Sequence, residues 1–135
     1  MTIGSLCLVL HGHMPYVLHH GQWPHGEDWL YEAAAETYLP LLSVVDECSY
    51  LNGKPRLTVG LTPVLAEQLA HEDFKRGFEA YLRNRIEQAM TDRKYFEQKA
   101  QPHLAWLAER WEDFYQGLCE QFKQIGYDIP AAFKS

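Results

Sequence analysis

Five consecutive apolar residues, Leu6, Cys7, Leu8, Val9 and Leu10, run directly into His11-Gly12-His13-Met14-Pro15-Tyr16. The run is too short for a helix and lacks the alternation of a half-exposed strand. It therefore predicts a strand buried on both faces, the inner strand of a parallel sheet. A second strand is predicted over Pro55-Arg56-Leu57-Thr58-Val59-Gly60-Leu61. Between them the pattern turns helical: Asp28 suits an N-cap, and Trp29-Leu30-Tyr31-Glu32-Ala33-Ala34-Ala35-Glu36 is strongly helix-forming. Thr37 can cap a second helix with Pro40 in its tolerated first turn, Leu41, Leu42 and Val45 on its apolar face, and a stop at Asn52-Gly53. Strand, helices, strand is a right-handed crossover, so the two strands should be parallel with their ends on one face. There Thr62-Pro63 supplies an N-cap and a first-turn proline for a short helix from Pro63 to about Ala70. His11, His13 and Thr62 should converge.

From Phe74 onward the period changes. Phe74, Phe78, Tyr81, Leu82, Ile86 and Met90 recur at three and four, and after Pro102 a second stripe follows: Leu104, Leu107, Trp111, Phe114, Leu118, Phe122 and Ile125, stopped by Gly126. Two amphipathic helices paired as an antiparallel hairpin, with both stripes in the core, are the expectation. Asp128 and Pro130 look like the cap and first turn of a further helix that reaches only Ser135. Two parallel strands cannot form an independent sheet, so the chain reads as an α/β segment from the front of something longer. It is expected to be a single partial domain over 1–135, with a strand-helix-strand core over 1–70 and a helical hairpin over 71–126.

Composition narrows this reading. With 135 residues, 47% apolar and 22% charged, the chain is about one globular domain and not disordered. The net charge of −6 argues against nucleic acid or an anionic membrane surface as main partner, since both require a basic face. No stretch approaches the ~20 apolar residues of a membrane span, and Met1-Thr2-Ile3-Gly4 lacks the basic start of a signal peptide. Cys7, Cys48 and Cys119 are widely spaced and sit in apolar patterns, which reads as buried thiols in a reducing cytoplasm.

The candidate chemistry starts where the first strand stops. Ligands of α/β folds bind at the carboxyl ends of parallel strands, and residues two apart on a strand point to the same side. His11 and His13 are therefore candidate ligand-binding side chains; the competing reading is that they cap the strand by bonding to backbone. Five of the seven histidines fall within residues 11–25, yet His-x-His supplies only two ligands where zinc wants three or four, so neither metal nor cofactor is expected. Trp23 and Trp29, in or beside the long loop from Tyr16 to Glu27, suit an aromatic platform for a flat ligand face, or ordinary packing of the loop. Glu27, Asp28, Glu32 and Glu36 have helix-start and helix-face spacings, and none sits at a strand end as a poised acid would.

The segments Leu8-Val9-Leu10-His11-Gly12-His13-Met14-Pro15-Tyr16-Val17, His20-Gly21-Gln22-Trp23-Pro24-His25-Gly26-Glu27, Leu30-Tyr31-Glu32-Ala33 and Gly60-Leu61-Thr62-Pro63-Val64-Leu65-Ala66-Glu67-Gln68-Leu69 together resemble glycoside hydrolase family 57, and within it the 1,4-α-glucan branching enzymes. The helical hairpin fits the same likeness, which covers the whole chain. The resemblance implies the N-terminal part of an incomplete (β/α)7 barrel that handles α-glucans such as amylose and glycogen by a retaining double displacement. It implies a glutamate nucleophile and an aspartate acid/base on later strands, so that none of the catalytic pair lies in this chain. His11 and His13 would then bond the sugar beside the cleavage point, Trp29 and Trp23 would line the site, and Glu27 would support it. The remainder of the barrel is an implied partner. Leu18 stands where many relatives carry a basic residue. Amylase or 4-α-glucanotransferase activity within the family, a metal-dependent deacetylase-like hydrolase at barrel strand ends, and a helical interaction module without enzymatic activity are the alternatives.

Overall fold

β1, Leu8–Gly12, and β2, Leu57–Leu61, pair in parallel with Leu8 opposite Leu57 and Gly12 opposite Leu61. The computed structural model describes residue 4 and residues 7–50 and 57–134. The expected strand start at Leu6, the stop at Asn52-Gly53, the Pro55-Arg56 start and Ser135 lie outside the described residues. The parallel pairing is as the crossover demands. The burial is not: Leu8 is 53% and Val9 61% exposed, because among the described residues β2 is the only strand beside β1. The apolar run therefore marks a strand suited to a larger sheet than these two strands supply.

Between the strands, α1 (Glu27–Ala33) runs through a widened turn, Ala34–Tyr38, into α2 (Leu39–Ser49). Neither expected cap forms. Gly26 occupies the α1 N-cap position without a side-chain bond, which places Asp28 inside the helix, and Thr37 lies within the widened turn. The widened turn is explained by Pro40, whose ring would strike the carbonyl four residues back in a regular helix. Here the Leu39 N–H reaches Ala34 O, five residues back, and the chain passes Pro40 without breaking. Gln121 Nε2 donates to Leu39 O at 2.7 Å and braces this irregular turn.

α3 (Pro63–Ala70) starts as read, with Thr62 extended at its N-cap position and Pro63 opening the helix, but the Thr62 hydroxyl makes no capping bond. α4 (Glu72–Gln98) and α5 (Pro102–Gln124) form the antiparallel hairpin, Phe78 meeting Phe122 at one end and Arg93 pairing with Glu112 at 3.2 Å towards the other. α6 (Ile129–Ala132) is capped by Asp128 Oδ1, which accepts from Ala131 N at 2.8 Å.

The stripe of α5 is rotated from the expected one. Ala105, Ala108, Glu112, Tyr115, Leu118 and Phe122 face inward, while Leu104, Leu107 and Trp111 are exposed and Phe114 is half-buried. Small alanines let α5 approach α4 where only those two helices meet, so the bulky residues of this half lie on the flank. Trp111, 48% exposed, rests on Phe114 and Tyr115 and lies outside the core that the described residues form. The cysteines also depart from expectation. All three are free, but Cys7 is exposed beside the open strand and Cys48 and Cys119 are only half-buried, the Cys119 thiol pushed up by what burial it has.

The core lies among the helices. Phe74, Phe78 and Phe122 are fully buried, each worth about 1.5–3 kcal/mol of burial, and Tyr31 packs on Phe74, Phe78 and Tyr81. Gly77 permits this, since a Cβ there would overlap the Tyr31 hydroxyl. That hydroxyl donates to Glu27 Oε2 at 3.2 Å.

Met14, Val17 and Leu18, just beyond β1, insert into the same core, and Gln68 holds them there. Fully buried on α3, Gln68 accepts from Val17 N at 2.7 Å and Leu18 N at 3.2 Å through Oε1, and donates from Nε2 to Pro15 O at 3.1 Å and Val64 O at 3.3 Å. One amide thus satisfies three main-chain groups of a segment that has left its strand.

Gln68→Leu keeps the volume and strands these groups. It should cost roughly 2–4 kcal/mol in urea unfolding, and a change below about 0.5 kcal/mol would show that the segment is held by other means. Tyr31 yields a second expectation. Burial first, then the Glu27 carboxylate and its hydrogen bond, raise the Tyr31 pKa well above its ordinary 10.0. The folded chain keeps a proton that the unfolded chain gives up, so this stability is complete below about pH 10 and is lost as pH rises towards the folded value. Tyr38, Tyr81 and Tyr115 are shifted the same way, so Tyr31→Phe should shrink the alkaline loss of melting temperature without abolishing it. An unchanged loss would remove Tyr31 from the account.

Candidate functional site

The carboxyl end of β1 is built by the clamp described above. Because Gln68 bonds the backbone of Pro15, Val17 and Leu18 and holds the last two side chains in the core, the chain turns away directly after Met14 and leaves the strand end uncovered. Thr62 N donates to Gly12 O at 3.1 Å, so the start of α3 closes on the backbone between the two histidines, as the crossover required. Gly12 is tightly placed, since a Cβ there would press on Leu61, Tyr38 and Leu65. His11 and His13 are both exposed, their rings stacked 5.6 Å apart and 23° from parallel. The alternation of the strand thus continues through Gly12 and sets two imidazoles side by side. Neutral imidazole carries one donor and one acceptor, which matches the hydroxyl groups of a polar ligand.

The loop that follows carries the aromatic residues. Trp29, in the first turn of α1, is 40% exposed and meets the His25 ring edge-on at 5.5 Å. Trp23 is 74% exposed at the outer part of the loop. The loop closes on itself where Glu27 N donates to Gly21 O at 2.8 Å, an approach so close that any side chain at Gly26 would overlap Gly21 O. Glu27 is bound inside this loop: Oε1 accepts from His19 N at 2.9 Å and Oε2 accepts from the Tyr31 hydroxyl. A carboxylate held by two donors anchors the loop on α1. The structure thus joins His11 to His13 and Trp29 to His25, and engages Glu27 in the loop's own framework.

Sequence pattern did not disclose a further cluster at the start of α4. His71 caps α4, its Nδ1 accepting from Asp73 N at 3.1 Å, and His19 Nε2 lies 2.9 Å from Asp73 Oδ2. Arg76 pairs with Asp73 Oδ1. Hydrogen bonding to His19, with Arg76 and His71 nearby, holds the Asp73 carboxyl below its usual range. His19, His71 and Asp73 are the grouping among the described residues whose donor atoms could surround a metal ion; His11 and His13 are not part of it. An open depression of about 540 Å³ lies between α1 and α4, lined by polar groups including Gln22, Asp28, Asn84, Arg85 and Gln88. It contains neither the histidine pair nor Trp29.

Comparison with known proteins bears on the whole chain. Residues 7–134 match the model of glycosyl hydrolase family 57. The 1,4-alpha-glucan branching enzyme of Thermococcus kodakarensis is 37% identical over 128 residues, which are 93% of this chain and 18% of that enzyme. The crystal structure of the GH57-type branching enzyme from Pyrococcus horikoshii superimposes with a TM-score of 0.80 at 37% identity, covering 96% of this chain and 24% of the other. The alpha-amylase AmyC of Thermotoga maritima superimposes with a TM-score of 0.83 at 32% identity, covering 97% and 24%. The chain therefore spans about a fifth to a quarter of these relatives. With the family match running through both strands, the histidine pair and the helical hairpin, this chain belongs to glycosyl hydrolase family 57.

Proposed function

We propose that the chain is the N-terminal, substrate-binding portion of the catalytic domain of a 1,4-α-glucan branching enzyme. The reading extends to an incomplete (β/α)7 barrel whose first two strands are β1 and β2, with the chain forming a single partial domain of it. The observation that carries the proposal is the stacked pair His11 and His13 at the carboxyl end of β1, in a chain whose relatives include branching enzymes. Retaining glycoside chemistry needs two carboxyl groups about 5 Å apart, one as nucleophile and one as acid/base. Glu27 is engaged by the loop, and the other carboxylates near the strand end stand on helices. As the family resemblance implies, the catalytic pair is assigned to parts of the protein outside this chain, and residues 1–135 alone should not turn over glucan.

In this reading His11 and His13 bond the hydroxyls of the sugar at the point of cleavage, and their bonds strengthen as positive charge develops on its ring. Trp29, and more peripherally Trp23, offer ring faces on which a glucan chain lies, and Glu27 contributes by fastening the loop that carries Trp23 to the helix that carries Trp29. The substrate is an α-glucan such as amylose or glycogen. The same reading has the protein act in the synthesis of a storage polysaccharide, in the cytoplasm. Among the described residues no helix is long and apolar enough to cross a membrane.

The Thermotoga maritima relative supports a second reading within the family, hydrolysis of α-glucan. The deacetylase-like reading draws no support from the relatives, nor from the His11–His13 pair, which lies apart from the metal-competent grouping. Assay of the full-length protein on amylose separates the first two. New α-1,6 branches are expected, and release of reducing ends without branches would favour hydrolysis. In the same protein, His11→Ala should lower kcat about 10- to 100-fold, or about 1.4–2.7 kcal/mol, with a smaller change in KM. Trp29→Ala should shift product from branching towards hydrolysis, because an acceptor chain is positioned less well against water. If His11→Ala melts early yet turns over normally per folded molecule, the histidine is a strand cap and the assignment fails.

A further inference from the structure

His19, His71 and Asp73 come from two segments more than fifty positions apart and meet where the loop after β1 crosses the start of α4. The backbone of His19 is in the left-handed region at φ 67°, uncommon for a residue with a side chain, and its N–H is fixed on Glu27 Oε1 at 2.9 Å. This aims the ring at α4, where Nε2 lies 2.9 Å from Asp73 Oδ2. His71 Nδ1 lies 3.6 Å from the same oxygen, and the two imidazole rings stand edge-on at 5.5 Å. Arg76 holds the other oxygen, Oδ1, and so orients the carboxylate with Oδ2 towards the histidines, the part that outer partners of metal ligands commonly play. The three donor atoms lie within 4.8 Å of one another, so small side-chain rotations bring them to the ~2.0–2.2 Å bond lengths of a zinc-class ion.

Two imidazoles and a carboxylate form the donor set of a first-row divalent metal; calcium and magnesium prefer all-oxygen sites. His19 is exposed and the other two are half-buried, which leaves room for water to complete a tetrahedron. We propose that His19, His71 and Asp73 bind a zinc-class divalent cation that ties the loop of residues 16–27 to α4. Ligation by His71 replaces its capping bond to Asp73 N, and the Arg76 guanidinium stays nearby, so affinity is moderate. The ion acts as a staple on the loop and takes no part in glucan chemistry, which makes the proposal independent of the assigned activity.

The test is zinc titration by calorimetry, with melting curves, on the full-length protein freed of purification tag and stripped with chelator. The wild type should bind zinc and melt at higher temperature in its presence. His19→Ala should weaken binding by at least about tenfold. His71→Asn should do the same while preserving a good N-cap, so its metal-free melting temperature should stay near that of the wild type. Failure of the wild type to bind zinc overturns the proposal, as does binding that is unchanged in both variants.

Discussion

The structure depends on one buried amide. When the chain leaves β1 it abandons the ladder that satisfied its backbone, yet Met14, Val17 and Leu18 enter the helical core, while Pro15 and Tyr16 between them stay exposed. Val17 N, Leu18 N and Pro15 O all find their partner in Gln68, which is itself fully buried. A buried main-chain group without a partner costs about 1–3 kcal/mol, so three at once would offset much of the about 1.5–3 kcal/mol that burial of each of Met14, Val17 and Leu18 returns. With the clamp in place the strand ends cleanly at Gly12, and His11 and His13 are left at its edge. The loop beyond then has a fixed starting point from which Glu27, bonded to His19 N and Tyr31, fastens its far end.

The second constraint is the aromatic packing that ties loop, α1 and hairpin together. Tyr31 bonds Glu27 through its hydroxyl and packs its ring among Phe74, Phe78 and Tyr81, while Phe122 meets Phe74 and Phe78 edge-on. The hairpin therefore does more than pad the outside of the two strands. It provides the surface against which the loop-bearing helix α1 is set, and through His71 and Asp73 it also meets the loop itself.

Much of this was legible because it follows from local pattern. The parallel strands, the Thr62-Pro63 helix start, the hairpin and the Asp128 cap each rest on a few neighbouring residues whose preferences agree with the fold. The stacking of His11 on His13 follows from the two-residue period of a strand. What escaped depends on tertiary context. Gln68 sits in Val64-Leu65-Ala66-Glu67-Gln68-Leu69, where an amide reads as a surface residue, and only the loop it bonds, fifty positions earlier, explains its burial. The rotation of the α5 stripe reflects how few neighbours its first half has: with only α4 to meet, Ala105 and Ala108 make the closer contact, and Glu112 is tolerated inward because Arg93 faces it. At Pro40 the chain widened one turn and continued, where capping rules predict two separate helices.

The central claim is that the uncovered end of β1 is the sugar-binding wall of a glucan enzyme. A crystal structure of the full-length protein with a bound maltooligosaccharide tests it most directly. The account predicts sugar hydroxyls within hydrogen-bond distance, about 2.7–3.2 Å, of His11 and His13 ring nitrogens, with a sugar ring lying on Trp29. An oligosaccharide seated elsewhere in the active site, with both imidazoles facing only water or backbone, would contradict it.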